Sequence, residues 1–472
     1  MEEFKTGFLN YFYEISKIPR KSGNEEKIAK YLIEFAKERN LKYYTDNKFN
    51  VVIWKDASIG YEDKEILGFQ CHTDMVCEKV DGSSHDFLKD SLKLKVEDGY
   101  IKTYDTTLGA DNGIGVSYIL EILDSNLKTP KLECIFTTQE ETTMEGARFL
   151  DGNILKSKRI ISFDNFLDTE ILISSATAKR WVSKIYMKRQ EKDKNLIYYK
   201  LDISGFKGGH SGIDIWDKKR GNSIKIVANN LNELESIRVV EISGGSSENV
   251  IPRDIKVVFA IEESERGILE KIESKLENLK KVYGNIDIYL KKLEDEEKEE
   301  IAIYSKEDTK RLLEYIVNYK NGPLEYDEEG NVILSGNLGR IESFENYVLL
   351  KYSVRYNDKN IGEKFASEIE ENMEKYNVIC EECSYMLGYE EPTESKLLDI
   401  VEKAYIEVMG NIPKKRKSQA CLECGYLGQK IENLEYIAIA PNILDAHSPK
   451  ERVEIASANN VWKIVEKLIE NI

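Results

Sequence analysis

The chain has 472 residues, 41% of them hydrophobic and 32% charged, with a formal net charge of −17 at neutral pH. That length exceeds one ordinary core, so two or three domains are expected, and the acidity disfavours nucleic acid and anionic membranes as partners. No run of about eighteen apolar residues is present to span a membrane, and the acidic start Met1-Glu2-Glu3-Phe4-Lys5 lacks an apolar signal core, which points to the cytoplasm.

Glu25 to Leu41 carries Ile28, Tyr31, Leu32, Phe35 and Ala36 as an amphipathic helical stripe. Asn50 to Trp54 and Glu65 to Cys71 read as strands, Asn112 to Leu123 as a helix, and Lys131 to Thr138 and Arg159 to Phe163 as short buried strands. Such alternation predicts a mostly parallel sheet with helices on both faces. From about Arg189 the texture changes. A charged loop, Glu191 to Asn195, precedes alternating strands at Tyr199 to Ile203, Val239 to Ile242 and Ile255 to Ile261. Helices Arg266 to Val282 and Lys306 to Tyr319 follow, the second with Ser305 as its amino-terminal cap. Strands Val332 to Leu334 and Tyr347 to Arg355 and helix Asn360 to Tyr376 complete this block. Its two similar sets of sheet and helix permit an internal duplication. After Glu391-Pro392 the alternation resumes, with helix Ser395 to Met409, strand Tyr436 to Ala440 and helix Ser457 to Ile472. The expected class is therefore α/β: a split domain, residues 1–187 and 391–472, interrupted by an inserted α+β domain, residues 188–390.

Seven cysteines are an odd number for a disulfide framework. The pairs Cys380/Cys383 and Cys421/Cys424 have zinc-ligand spacing within each pair, but the gap between pairs is longer than in zinc ribbons. Buried free thiols are the better reading.

Only four histidines occur, and three of them sit in chemically suggestive segments: Gln70-Cys71-His72-Thr73-Asp74, Gly208-Gly209-His210-Ser211-Gly212 and Asp445-Ala446-His447-Ser448-Pro449. The fourth, His85, lies in an ordinary polar loop and reads as structural or exposed. His72 and Asp74, Glu140 and Glu141, Asp164 and His447 all follow predicted strands, and Asp111 precedes a helix. Open α/β sheets place their binding crevice at such positions. Two imidazoles with several carboxylates suit zinc and similar cations, and a carboxylate can bridge two of them. A metal pair about 3.5–4 Å apart can hold a hydroxide and polarise a carbonyl. Of Glu140 and Glu141, one would ligate and the other would take the water's proton. Asp74 can receive the second N–H of His72 and fix its tautomer. Each motif alone is more often a surface pair or a solvated strand end; their shared placement carries the reading.

These segments, with Thr107-Leu108-Gly109-Ala110-Asp111-Asn112-Gly113, resemble the cytosolic aminoacylhistidine dipeptidases, within the di-zinc peptidases that include carnosinases and carboxypeptidase G-like enzymes. The resemblance runs from about Phe4 to the end. It implies that His72 and Asp164 hold one metal, Glu141 and His447 the other, that Asp111 bridges them and that Glu140 is the general base. It also implies a cis peptide between Asp111 and Asn112, and a catalytic domain with the insert acting as a lid. His210 would then donate to the oxyanion, a contribution typically worth about 3–4 kcal/mol; capping of a glycine turn is its alternative. Asn249 and Arg355 resemble lid residues that grip substrate, the Arg355 fork suiting a carboxylate, with a surface strand position as the alternative for Arg355. Glu423 would lie near the substrate's amino end.

The expected activity is hydrolysis of small dipeptides, Xaa-His or of broad specificity, with two divalent ions, zinc foremost and cobalt or manganese as alternatives. An N-acyl amino acid deacylase or a tripeptidase is the rival on the same fold, and a non-enzymatic scaffold the third reading. A small peptide is the expected partner, and a homodimer is possible.

Overall fold

In the computed structural model, residues 3–193, 195–294 and 302–472 are described. Two compact units divide the chain: residues 1–174, 389–416 and 422–472 form the first, and residues 175–388 with 417–421 the second.

The first unit is built on an eight-stranded sheet, ordered Lys42–Thr45, Val51–Lys55, Leu132–Thr137, Leu67–His72, Arg159–Ser162, Glu435–Ala438, Glu170–Ser175 and Lys414–Ser418. Its central strands, from Leu132–Thr137 to Glu435–Ala438, run parallel. Leu67–His72 and Leu132–Thr137 are buried at all six positions, as expected for parallel strands covered on both faces. Alternate side chains of one strand feed opposite cores. Val51 and Ile53 join the large core with Phe69, Ile119 and Ile464, while Val52 joins a smaller one with Ile135 and Leu427. The last helix, Ile455–Asn471, buries Ser457, Ala458, Val461, Ile464, Val465, Leu468 and Ile469, a stripe at three- and four-residue spacing. A small antiparallel sheet orders Ile443–Leu444, Arg452–Glu454, Tyr100–Lys102 and Lys95–Glu97.

The second unit is a nine-stranded antiparallel sheet packed with helices Ser223–Leu231, Arg266–Tyr283, Lys306–Asn318 and Lys359–Lys375 around its own core. The Ser305 hydroxyl accepts from the Asp308 amide, as the sequence predicts. Strand Val332–Ser343 is far longer than Val332 to Leu334. Its glycines break the apolar alternation, yet Gly336 is needed there: a Cβ would stand 2.3 Å from the Tyr352 hydroxyl.

The first division falls at Ser174 rather than near 187, because strand Thr177–Tyr186 pairs with Tyr347–Tyr356 and Val378–Met386. The charged stretch at 191–195, of which Lys194 lies outside the described residues, therefore follows the boundary instead of marking it. Residues 417–421 also belong to the second unit, since the Ser418 and Ala420 carbonyls accept from the Ala176 amide.

The cysteines depart from the expectation of buried thiols. Cys71, Cys134, Cys421 and Cys424 are buried, but Cys380 and Cys383 are exposed on the sheet's edge strand Val378–Met386. No helix among the described residues is long and apolar enough to cross a membrane.

Candidate metal centre

Strand ends deliver the side chains. Leu67–His72 ends at His72, Leu132–Thr137 leads to Glu140 and Glu141, and Arg159–Ser162 leads to Asp164. Asp111 opens helix Ala110–Asp124, where the backbone of Asp111 and Asn112 is non-helical and their peptide bond is cis. The Asn112 side chain folds back over Gly115, whose missing Cβ would stand 2.0 Å from Asn112 Oδ1. His447 sits on the loop between strands Ile443–Leu444 and Arg452–Glu454.

The ring nitrogens converge on one carboxylate. His72 Nε2 lies 3.0 Å from Asp111 Oδ1, and His447 Nε2 lies 3.2 Å from Asp111 Oδ2. His447 Nε2 is also 3.1 Å from Glu141 Oε1. Two ligand-like triads share Asp111: His72, Asp111 and Asp164, and Asp111, Glu141 and His447. Glu140 joins His72 and Glu141 in a third. His72 is fully buried, whereas the His447 side chain is 39% exposed.

Asp74 organises this cluster from behind. Its Oδ1 lies 3.3 Å from His72 Nδ1 and accepts from the Glu140 amide at 3.0 Å; its Oδ2 accepts from the Glu141 amide at 3.2 Å and the Ser22 hydroxyl at 2.7 Å. With its proton on Nδ1, the nitrogen facing the Asp74 carboxylate, the His72 ring leaves its Nε2 lone pair directed at Asp111.

Charge in this pocket is badly out of balance. Burial opposes charge on every group, yet contacts with Asp111 and Asp74 push the His72 imidazole up, and contacts with Asp111 and Glu141 push His447 up to about 11. The same imidazoles hold the Asp111 carboxyl well below the carboxylate range. Burial, then the Asp111 charge, pushes Asp164 up to about 7 and raises Glu141. Burial and the Asp164 charge raise Glu140. Neutral imidazole and carboxylate each present a lone pair across these short gaps, so only a proton or a cation satisfies both. The mixture of N and O donors, with one carboxylate shared by two triads, fits a pair of divalent cations.

Glu423 lies buried beside this cluster, accepting from Gln70 Nε2 at 2.6 Å and from the Thr137 hydroxyl at 2.5 Å. Burial pushes its carboxyl up to about 8.

The remaining candidates gather within the second unit. Gly209 and His210 pair with Ile251 and Val250, and the Ser211 amide donates to the Asn249 carbonyl at 2.8 Å. The Gly212 amide donates to His210 Nδ1 at 3.1 Å, which assigns the proton of the neutral ring to Nε2. Arg355 is 2% exposed, which overturns the surface reading. Its Nη1 donates to the Gln419 carbonyl at 3.1 Å and lies 3.3 Å from Cys421 Sγ, and Nε lies 3.4 Å from the Ser211 hydroxyl. His85 is half-buried and packs edge-on against Phe87. Two residues that the sequence did not single out, Arg20 and Glu451, are each 2% exposed and hydrogen-bond to backbone groups around the site. A charged residue in a segment that is otherwise loop is their only signal.

Candidate metal ligands gathered at the carboxyl ends of a partly parallel sheet are an arrangement that metal-dependent hydrolases use. A profile of peptidase family M20/M25/M40 matches residues 68–471, and the chain belongs to that family. It is an enzyme of the peptidase class. It is 28% identical over 469 residues to the cytosol non-specific dipeptidase of Escherichia coli (strain K12), covering 98% of this chain and 96% of that protein. The crystal structure of aminoacylhistidine dipeptidase from Vibrio alginolyticus superposes with a TM-score of 0.87 at 27% identity, over 100% of this chain and 99% of that one. A tripeptidase from Staphylococcus aureus shares the fold, with a TM-score of 0.57 at 16% identity over 98% and 97% of the two chains.

Proposed function

We propose that the protein is a cytoplasmic metallodipeptidase that cleaves the single peptide bond of small dipeptides, Xaa-His or broader in range. The observation that carries this reading is Asp111 set between two imidazoles with Glu140 and Glu141 alongside, in a chain similar along nearly its whole length to a non-specific dipeptidase. His72 and Asp164 would hold one divalent ion, Glu141 and His447 the other, with Asp111 between them. Zinc is the favoured ion for this donor set, cobalt or manganese the alternatives. When bound, such ions activate water and polarise the scissile carbonyl.

The protein's own groups do the rest. Glu140, whose proton affinity burial raises, takes the proton of the attacking water and delivers it to the departing amine. Asp74 keeps the His72 tautomer fixed. His210, carrying its proton on Nε2, donates to the carbonyl oxygen as negative charge develops there. Arg355 and Asn249 grip the substrate's free carboxylate, which limits substrate length, and Glu423 faces its amino end.

A panel of dipeptides, tripeptides and N-acetyl amino acids, assayed before chelation, after it and after zinc is restored, tests this reading. Dipeptide hydrolysis lost on chelation and regained with metal is expected. Preferential cleavage of tripeptides or N-acetyl amino acids, or activity indifferent to chelation, refutes it.

A further inference from the structure

The candidate ligands come from separate stretches of chain, and buried ions tie those stretches together pairwise. Asp74 joins the His72 segment to the amides of Glu140 and Glu141. Arg20, 2% exposed, donates to the Thr73 carbonyl at 3.1 Å, the Asp74 carbonyl at 2.9 Å and the Gly109 carbonyl at 2.5 Å, joining the segment after His72 to the loop before Asp111.

Glu451 makes the third tie. It is 2% exposed, and its two oxygens accept from four consecutive amides: Leu108 at 2.8 Å and Gly109 at 3.0 Å on Oε2, Ala110 at 2.8 Å and Asp111 at 3.4 Å on Oε1. These donors lead into the start of helix Ala110–Asp124, where a carboxylate is favoured by amide groups that lack helical partners. Glu451 also closes the loop that carries His447: its amide donates to the Ser448 carbonyl at 3.0 Å, and the next residue, Arg452, pairs with Leu444. One side chain thus fixes the Asp111 backbone relative to the His447 loop.

We propose that Glu451 is a positioning residue for the paired-ion site, setting the distance between the Asp111 carboxylate and the His447 imidazole, with Arg20 bracing the opposite side of the same loop. This rests on the metallopeptidase reading above. Glu451 touches neither ligand side chain, so its effect is transmitted through backbone. Loss of an outer partner of this kind typically weakens metal affinity or activity by about 10–100-fold.

E451Q is nearly isosteric but turns one acceptor into a donor facing amides. Zinc affinity is to be measured by chelator competition on wild type and variant, beside circular dichroism of both metal-free proteins and a kcat and KM determination with zinc in excess. The expected result is a folded variant with zinc affinity about 10–100-fold weaker, a lower kcat, a nearly unchanged KM, and partial recovery in E451D, which keeps the charge. A folded E451Q with wild-type zinc affinity overturns the proposal while leaving the peptidase reading intact. Wild-type protein that takes up no divalent ion overturns both. Should E451Q fail to fold, R20K replaces it: a single ammonium nitrogen cannot reproduce the spacing at which Arg20 Nη1 holds the Thr73 and Asp74 carbonyls while Nη2 holds that of Gly109, so weakened affinity is again expected and unchanged affinity overturns the proposal.

Discussion

At Asp111 two imidazoles meet the two oxygens of one carboxylate, at 3.0 and 3.2 Å. Removing that carboxylate does more than delete a ligand, since it leaves His72 and His447 without the group that both address. Asp111→Ala is therefore expected to abolish peptide hydrolysis and to emerge with at most one metal ion per chain by elemental analysis; two retained ions would refute bridging. His210 is separable from this. Its Nδ1 accepts from the Gly212 amide, which puts the proton of the neutral ring on Nε2, the atom through which the proposed oxyanion contact would run. His210→Ala should lower kcat by about 10²–10³-fold and leave metal content unchanged, whereas an unaltered kcat would return His210 to the role of capping its glycine turn.

Elements, rather than single residues, decide what sequence could reveal. Leu67–His72, Ala110–Asp124 and Leu132–Thr137 were legible because continuous apolar runs and a helical stripe leave little choice of structure. Their ends were legible too, which is why the side chains gathered around Asp111 stand out as one set. Strand Thr177–Tyr186 was not, since its polar alternation identifies a sheet position only once both neighbours are known. Glu451 was illegible for a related reason: its partners are backbone amides more than three hundred residues away, and backbone leaves no trace in residue type. Lys225 is a similar case at helix scale. On helix Ser223–Leu231 its ammonium donates to the Ile316, Val317 and Tyr319 carbonyls, which end helix Lys306–Asn318 and its exit. Helix-terminal carbonyls lack donors of their own, and hydrogen bonds to a charged group contribute about 1.5–3 kcal/mol. Lys225→Met should therefore destabilise the protein by about 2 kcal/mol in urea unfolding without altering metal content. A midpoint matching wild type would show those carbonyls to be satisfied otherwise.

On the scale of the whole molecule, the chain carries two sets of apolar cores that share no residues. Among the described residues, one is centred on Phe69, Ile119 and Ile464, with a smaller cluster around Val52 and Ile135; the second is centred on Trp181, Leu313 and Tyr352, with a smaller cluster around Tyr198 and Val240. All the candidate metal ligands belong to the first compact unit. Ion binding to the folded form alone stabilises it by mass action, about 2.7 kcal/mol for one site at a hundredfold excess over Kd. For a unit of this size that corresponds to a rise of roughly 5–10 °C in melting temperature. Calorimetry should accordingly resolve two transitions. Zinc should move one upward by that amount, chelation should reverse it, and the other should stay in place. Asp111→Ala should remove most of the zinc-dependent shift while leaving the second transition untouched. Equal displacement of both transitions by zinc would mean that the ions bind outside the Asp111 cluster or that the two cores unfold as one.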